Sequence, residues 1–568
     1  MTNLEKFIFI TFGFWIYEVV YIRTGYFAGI TITSATFVIS FASYILITLI
    51  IFSVVRSSLR NFLVDFLIVI VFVVFIGLFG LISSFLSYTY DTSWDGQGYH
   101  QSAVIALANN WNPVKEIHAP LQKVLPSQIF AESYPPALWE IEASIYALTG
   151  RINSAKVVNF AIAAIAFLVV YDLLRKLKIR KLLALLISIL VVIQPVFMIQ
   201  LLTFMEDGFG YEVFVIALAS LITFCLSPKN FWAMLMFVMA ELLLVTTKYS
   251  HLPVSLVIGM VFFPVIVNRL MNKDYPFNIK NISLVFLILF VSLIFFYLPY
   301  GRNYLAYKAM FYPTNIPDLM GSVTYNNVPN NLQKTDKLGL LFYGIFSSAQ
   351  DATSGDPRSS SNVAKLKIPF TFSKYEITSS AELYNNRVGG GGPLFSGIIV
   401  LSTIILLIAY FKSKTLHERY AIYSSFFMVL ALLILALLAP TPNLLRYVNE
   451  LQLLPFVILI PILITFRQWY LKGAIYFITF LIFINISIFS YAVISKNIKE
   501  AKAIKAQFEK MRESNSVYMV RAQQFYSNYI LLEENGIKYE AVNDLNCENL
   551  KSLLASSTTT QYCERKAR

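Results

Sequence analysis

Residues 65–86 read DFLIVIVFVVFIGLFGLISSFL, and residues 91–100, just beyond them, read DTSWDGQGYH. The first stretch decides the fold. It is apolar over the roughly 20 residues needed to cross the hydrocarbon of a bilayer, and its one charge, Asp65, stands at its very start. The second stretch carries two carboxylates, Asp91 and Asp95, out of that membrane segment.

Similar runs recur along the 568 residues, which are 57% hydrophobic, 15% aromatic and only 14% charged. A chain of this composition has lipid as its main solvent. About thirteen apolar runs are long enough to be read as spans, two of them short. They begin near Phe7, Ile32, Asp65, Val157, Leu182, Val213, Phe231, Leu252, Ile282, Leu394, Tyr420, Val448 and Ala474. The expected fold is an all-α polytopic membrane module over residues 1–495. External loops with interfacial helices and a small external C-terminal domain over 496–568 complete it.

Short cytoplasmic loops retain Lys and Arg. If the spans alternate, Arg56 and Arg60, Arg175 to Lys181, Arg269, Lys273 and Lys280, Lys412 to Arg419, and Arg467 and Lys472 share one side. That side is assigned to the cytoplasm, together with the N-terminus. Residues 91–156, 205–210, 299–393, 440–446 and the tail after Lys496 then lie outside. The Ile-, Lys- and Asn-rich composition leans toward a bacterial inner membrane. The net charge of +13 is accounted for by these loops, so no nucleic-acid partner is implied. The first helix lacks a basic leader and a small-residue cleavage pattern, and it carries Glu18, so it reads as a retained anchor.

Of three cysteines, Cys225 falls in a span, while Cys547 and Cys563 fall in the external tail. In an oxidising compartment that pair is a disulfide candidate; two free thiols is the other reading.

In the first long loop, residues 101–111 and 137–148 have helical amphipathic patterns suited to the interface plane, separated by turns at Pro113, Pro120, Pro126 and Pro135-Pro136. The second long loop, 299–393, ends in four glycines, Gly389 to Gly392. It is either a flap that orders over substrate or a plain connection. After Lys496 a solvent-exposed helix is expected to about Arg512, then a domain of one or two helices and short strands.

Asp91 and Asp95 have two readings each. A partly desolvated carboxylate beside the headgroups can act as general base toward a hydroxyl. Alternatively, each caps a turn or a helix. Gly96 and Gly98 argue against a continuous helix through both and for a bent loop with a helix from near Tyr99.

The segments Trp94–His100, Trp111-Asn112-Pro113, Tyr134–Glu140 and Leu148-Thr149-Gly150 resemble the first external loop of the GT-C membrane glycosyltransferases. The nearest members are the protein O-mannosyltransferase and aminoarabinose-transferase type. The resemblance implies an acidic catalytic base just after a span and a sugar donor carried on a polyprenyl phosphate or diphosphate. Asp95 is the matching position, with Tyr99 and His100 beside it and Asp91 as support. It also implies a second acidic element, for which Glu206 and Asp207 stand in the right loop. They would bind a divalent metal, orient the acceptor or assist Asp95; capping the next helix is the other reading. Arg446-Tyr447, followed by Leu454-Pro455, resembles a motif near the C-terminal spans of relatives. A guanidinium suits a phosphate leaving group, although a boundary Arg also snorkels to headgroups. Lys248, His251 and Arg302 are further external cations or imidazoles that can contact the donor. The four histidines show no metal-ligand spacing.

The expected function is transfer of a sugar from a polyprenyl-phosphate-linked donor to a glycan, lipid or protein acceptor at the bilayer surface. The alternatives are a transporter or flippase for a lipid-linked sugar, suggested by Glu18 and Glu241 inside spans, and a surface polysaccharide polymerase or ligase.

Overall fold

A computed structural model describes residues 1–55, 59–120, 128–227, 230–271, 279–349, 363–379, 387–545, 547, 549–556 and 560–565. Arg56, Pro126 and Lys273 lie outside these residues. Helix accounts for 72% of the chain.

The first three helices, α1 (Asn3–Phe27), α2 (Thr36–Val55) and α3 (Leu59–Leu86), form a hairpin-linked trio. Thr2 and Glu5 close α1 with a capping box, satisfying two N–H groups that the helix start leaves open. Asp65, the lone charge of the deciding stretch, is fully buried against Lys6 of α1 at 2.5 Å. Pairing makes a buried carboxylate tolerable there.

The first loop holds α4 (Gln101–Ala108), α5 (Gln128–Ser133) and α6 (Ala137–Thr149). These are not interfacial helices. Residues 101–107 of α4 and 137–145 of α6 are buried, polar side chains included. Of the polar residues that gave the amphipathic pattern, Glu140 has a charged internal partner. Arg23 of α1 pairs with Glu140 at 2.8 Å, and its Nη1 donates to the carbonyls of Phe295 (2.6 Å) and Leu298 (3.0 Å).

Then come α7 (Val157–Lys176), α8 (Lys181–Val192), α9 (Pro195–Gln200) and α10 (Glu206–Leu226). Residues 205–210 are therefore mostly the first turn of α10 rather than a loop. Next are α11 (Phe231–Val245), α12 (His251–Met271) and α13 (Ile279–Phe296). The second long loop is structured in part, with α14 (Arg302–Tyr307), α15 (Pro317–Asn327), α16 (Lys337–Phe346) and α17 (Lys374–Ser379). Its glycine run packs tightly instead of hanging free. A Cβ on Gly389 would lie 2.6 Å from the Ala349 nitrogen and one on Gly392 2.7 Å from Asn485, so glycine serves close approach here.

The last membrane helices are α18 (Phe395–Lys412), α19 (Leu416–Leu438), α20 (Leu454–Thr465), preceded by a 3₁₀ segment Leu445–Leu453, and α21 (Trp469–Glu513). Ten helices or helix runs are long and apolar enough to cross a membrane among the described residues. The chain is a polytopic helical protein. Lys181–Val192, Phe231–Val245, His251–Met260 and Lys337–Phe346 are apolar but shorter.

Helix α21 passes residue 495 without a break, so no linker separates membrane module and tail. The tail forms a sheet of β1 (Tyr518–Arg521), β2 (Tyr539–Ala541), β3 (Lys551–Ser552) and β4 (Gln561–Glu564), in the order β2-β1-β4-β3. Strands β1 and β2 are parallel and the other pairs antiparallel, with α22 (Ser527–Glu534) packed beside them. Cys547 and Cys563 form a disulfide.

Candidate active site

Downstream of α3 the chain turns sharply. Asp91 is buried, its Oδ1 accepting the Ser93 N–H (2.8 Å) and its Oδ2 the Phe204 N–H (2.8 Å). Both oxygens are thus taken up in tying the turn to the chain ahead of α10. A Cβ on Gly96 would sit 2.0 Å from Asp91 Oδ2, which explains the glycine.

Residues Gly96–His100 form a π-helical turn that runs into α4, so helix begins earlier than the two glycines predict. The wide turn absorbs them. Asp95 occupies the N-cap position, yet its side chain makes no capping bond. It points to Arg446, whose Nη1 donates to Asp95 Oδ2 at 2.7 Å. Burial drives the Asp95 carboxyl upward, but the adjacent guanidinium outweighs it and holds the group below the ordinary aspartate range.

Arg446 arrives on the 3₁₀ segment and also stands 3.7 Å from Asp207 Oδ2. Asp207 lies in the first turn of α10. Its Oδ1 bonds Lys248, its Oδ2 accepts from Gln200 Nε2 at 3.1 Å, and its backbone carbonyl accepts from Asn449 (2.7 Å). Lys248 sits in the turn before α12. Both cations lie over the Tyr447 ring, at 5.0 Å for Lys248 and 4.9 Å for Arg446. The Tyr447 hydroxyl also accepts from Arg446 Nη2 at 3.2 Å. The Asp95 side chain keeps 18% of its surface open, against 3% for Asp207, so of the two carboxylates Asp95 is the one substrate can reach.

A third cation belongs here that the sequence reading did not single out. Arg387, just ahead of the glycine run, is held near Arg446, Asp95 and Tyr447, while Asn443 Nδ2 donates to its carbonyl at 3.0 Å. Burial, then repulsion by Arg446, push its pKa down to about 10. Its position two residues before the first of four glycines that permit close packing is the signal available in the sequence.

Glu206 and His100 lie one layer deeper. Trp139 Nε1 donates to His100 Nδ1 at 2.9 Å, which places the ring proton on Nε2. Burial pushes the imidazole down to about 3 against the pull of Asp95, so the ring is neutral and serves as a fixed wall rather than a proton carrier. Glu206 is buried 3.6 Å from the same nitrogen. Tyr99 packs against His100, Phe130 and Tyr134, continuing that aromatic wall.

Of two other expected ligands, Arg302 is engaged elsewhere, while His251 stays within electrostatic reach of Lys248 and Asp207. Arg302 is buried, donates to the carbonyls of Glu132 and Ile117, and lies 5.6 Å over Trp111. It staples the first loop. His251 is packed onto Gly210, where a Cβ would lie 1.9 Å from the ring.

Lys248 and Gln200 hold the oxygens of Asp207 with Arg446 beyond, whereas neither carboxylate oxygen of Glu206 has a hydrogen-bond partner among the described residues. Three cations, Arg446, Lys248 and Arg387, face two carboxylates, Asp95 and Asp207, an arrangement that attracts an anion.

Fold and site together define a polytopic helical membrane protein with a largely buried cluster of three cations and two carboxylates, of which Asp95 is the more exposed. No family model, curated protein or solved structure matches the chain.

Proposed function

We propose that the chain is a GT-C-type glycosyltransferase that moves a sugar from a polyprenyl-phosphate carrier to an acceptor hydroxyl on a glycan, lipid or protein. Its site would face outward from the inner membrane of a bacterium, with the N-terminus cytoplasmic.

The observation that carries the reading is the Asp95–Arg446 pair in its cationic pocket. The donor phosphate competes with Asp95 for the Arg446 guanidinium, and Lys248 and Arg387 add to the attraction. As the guanidinium turns to phosphate, burial acts on Asp95 against a weaker opposing pull, that of Lys248 and His100, and the carboxylate gains basicity. Binding the donor thereby readies the base. The acceptor oxygen attacks the anomeric carbon and its proton passes to Asp95. The bond from that carbon to the phosphate oxygen breaks, and its electron pair leaves with the phosphate, whose charge the three cations stabilise.

An apolar cavity of about 560 Å³ supports a lipid-borne donor. Helix α10 and the segment around α20 begin at the site with Asp207 and Arg446, and both line the cavity below, through Val215, Leu218, Leu453 and Phe456. An isoprenoid chain suits such walls. The acids that suggested a carrier have polar neighbours instead: Glu18 accepts from Ser40, and Glu241 faces Ser255.

The test is transfer of labelled sugar from a polyprenyl-phosphate donor in isolated membranes. Asp95→Asn is expected to lower turnover at least 10²-fold, the usual range for a general base. Transfer at the wild-type rate would remove Asp95 as the base.

A further inference from the structure

The C-terminal domain reaches into the turn that carries Asp95. Gln97 is fully buried, two residues beyond Asp95, and its Nε2 donates to two carbonyls: Asp91 at 2.7 Å and Ala555 at 2.5 Å. The first belongs to the same turn, the second to the tail 458 residues on. Around this link the two parts of the chain meet repeatedly. Trp94, immediately before Asp95, meets Phe525 edge-on at 6.2 Å, and Tyr90 meets Phe508 at 5.5 Å. At the far end of the first loop the Ile152 N–H donates to Glu534 Oε1 at 2.8 Å, and Arg151 donates to the Glu534 carbonyl.

Ala555 is itself held in place. It is buried, and its neighbour Ser556 accepts from Asn528 of α22 at 3.1 Å, as does Thr560 at 2.9 Å. The Cys547–Cys563 bond closes the loop that contains it, with a sequence separation of 16.

We propose that the C-terminal domain is a working part of the site, and that Gln97 is a positioning residue through which the disulfide-closed turn around Ala555 fixes the Asp95 carboxylate. A buried amide with both its hydrogens bonded has one stable placement. Without the Ala555 carbonyl, the π-helical turn loses the support that sets the distance from Asp95 to the reacting hydroxyl. Rates fall about 10²-fold for a misplacement of roughly 1 Å. Donor binding rests on Arg446, Lys248 and Arg387, which come from other segments.

The role given to Asp95 rests on the glycosyltransferase reading; the docking does not. Two measurements on the full-length protein in nanodiscs separate them. Hydrogen exchange of residues 91–101 is compared among wild type, Gln97→Glu, whose carboxylate cannot donate to either carbonyl, and the double variant Cys547→Ser/Cys563→Ser. Faster exchange in both variants is expected, and unchanged exchange in both overturns the proposal. Kinetics with a labelled polyprenyl-phosphate sugar should show kcat lowered about 10- to 100-fold in Gln97→Glu, with the donor KM within about twofold of wild type. A preserved kcat despite faster exchange, or a raised KM with kcat intact, also overturns it. If the wild type transfers no sugar, the enzymatic reading fails, and the exchange data alone decide whether the domain holds the turn. If Gln97→Glu fails to fold, the cysteine variant carries both measurements, with the same expectations.

Discussion

Replacing Arg446 with Gln tests the exchange of partners at the centre of the site. In the free protein Arg446 Nη1 lies 2.7 Å from Asp95 Oδ2 and 3.7 Å from Asp207 Oδ2. On donor binding the same guanidinium makes a two-pronged contact with phosphate. Each hydrogen bond to a charged group contributes about 1.5–3 kcal/mol, so the pair contributes about 3–6 kcal/mol. At about 1.4 kcal/mol per tenfold, that is roughly 10²- to 10⁴-fold in kcat/KM. Lys248 and Arg387 remain, which places the expectation at the lower end, about 10²-fold. The pH profile moves as well. Asp95 must be ionised to act as base, and in the wild type Arg446 holds its pKa below the ordinary aspartate range against burial. Removing the guanidinium leaves burial to raise the pKa, so activity is lost at a higher pH as the medium is acidified. The profile of kcat/KM reports the free enzyme, so this acid limb should shift upward in Arg446→Gln. Steady-state transfer in nanodiscs across the acidic and neutral range measures both effects. An acid limb that stays in place, or a loss of less than about threefold, refutes the reasoning.

Arg387→Gln should raise the donor KM about tenfold, the equivalent of one charge-assisted contact, as read by the same transfer assay at fixed pH. Arg302→Met should instead lower stability by about 2–4 kcal/mol, because the carbonyls of Glu132 and Ile117 lose a buried partner. Denaturant unfolding in detergent measures it. Weaker donor binding at unchanged stability would return Arg302 to the phosphate.

Much of this was readable from the chain because the signals are local. The stretch 65–86 announces its span through length and polarity, and the residues that follow it put Asp91 and Asp95 at the exit of that span. What the sequence does not carry is which partner a charge meets across the bundle. Asp91 and Asp95 are chemically identical neighbours, and only the backbone nitrogens of Ser93 and Phe204 make one of them a tie. Arg302 and Arg387 both lie in the second long loop. One was expected at the phosphate and instead staples the first loop, while the other was passed over and stands beside Asp95. The polar residues of α4 and α6 gave an interfacial pattern because hydropathy cannot tell a polar group facing water from one buried inside the protein.

Helix α21 runs for 45 residues, from Trp469 in the membrane to Glu513 at the edge of the sheet, with no proline inside it. At about 1.5 Å per residue it is a rod of roughly 67 Å, more than twice the hydrocarbon thickness. The same unbroken helix thus joins the last membrane-spanning segment directly to the sheet that meets the turn around Asp95.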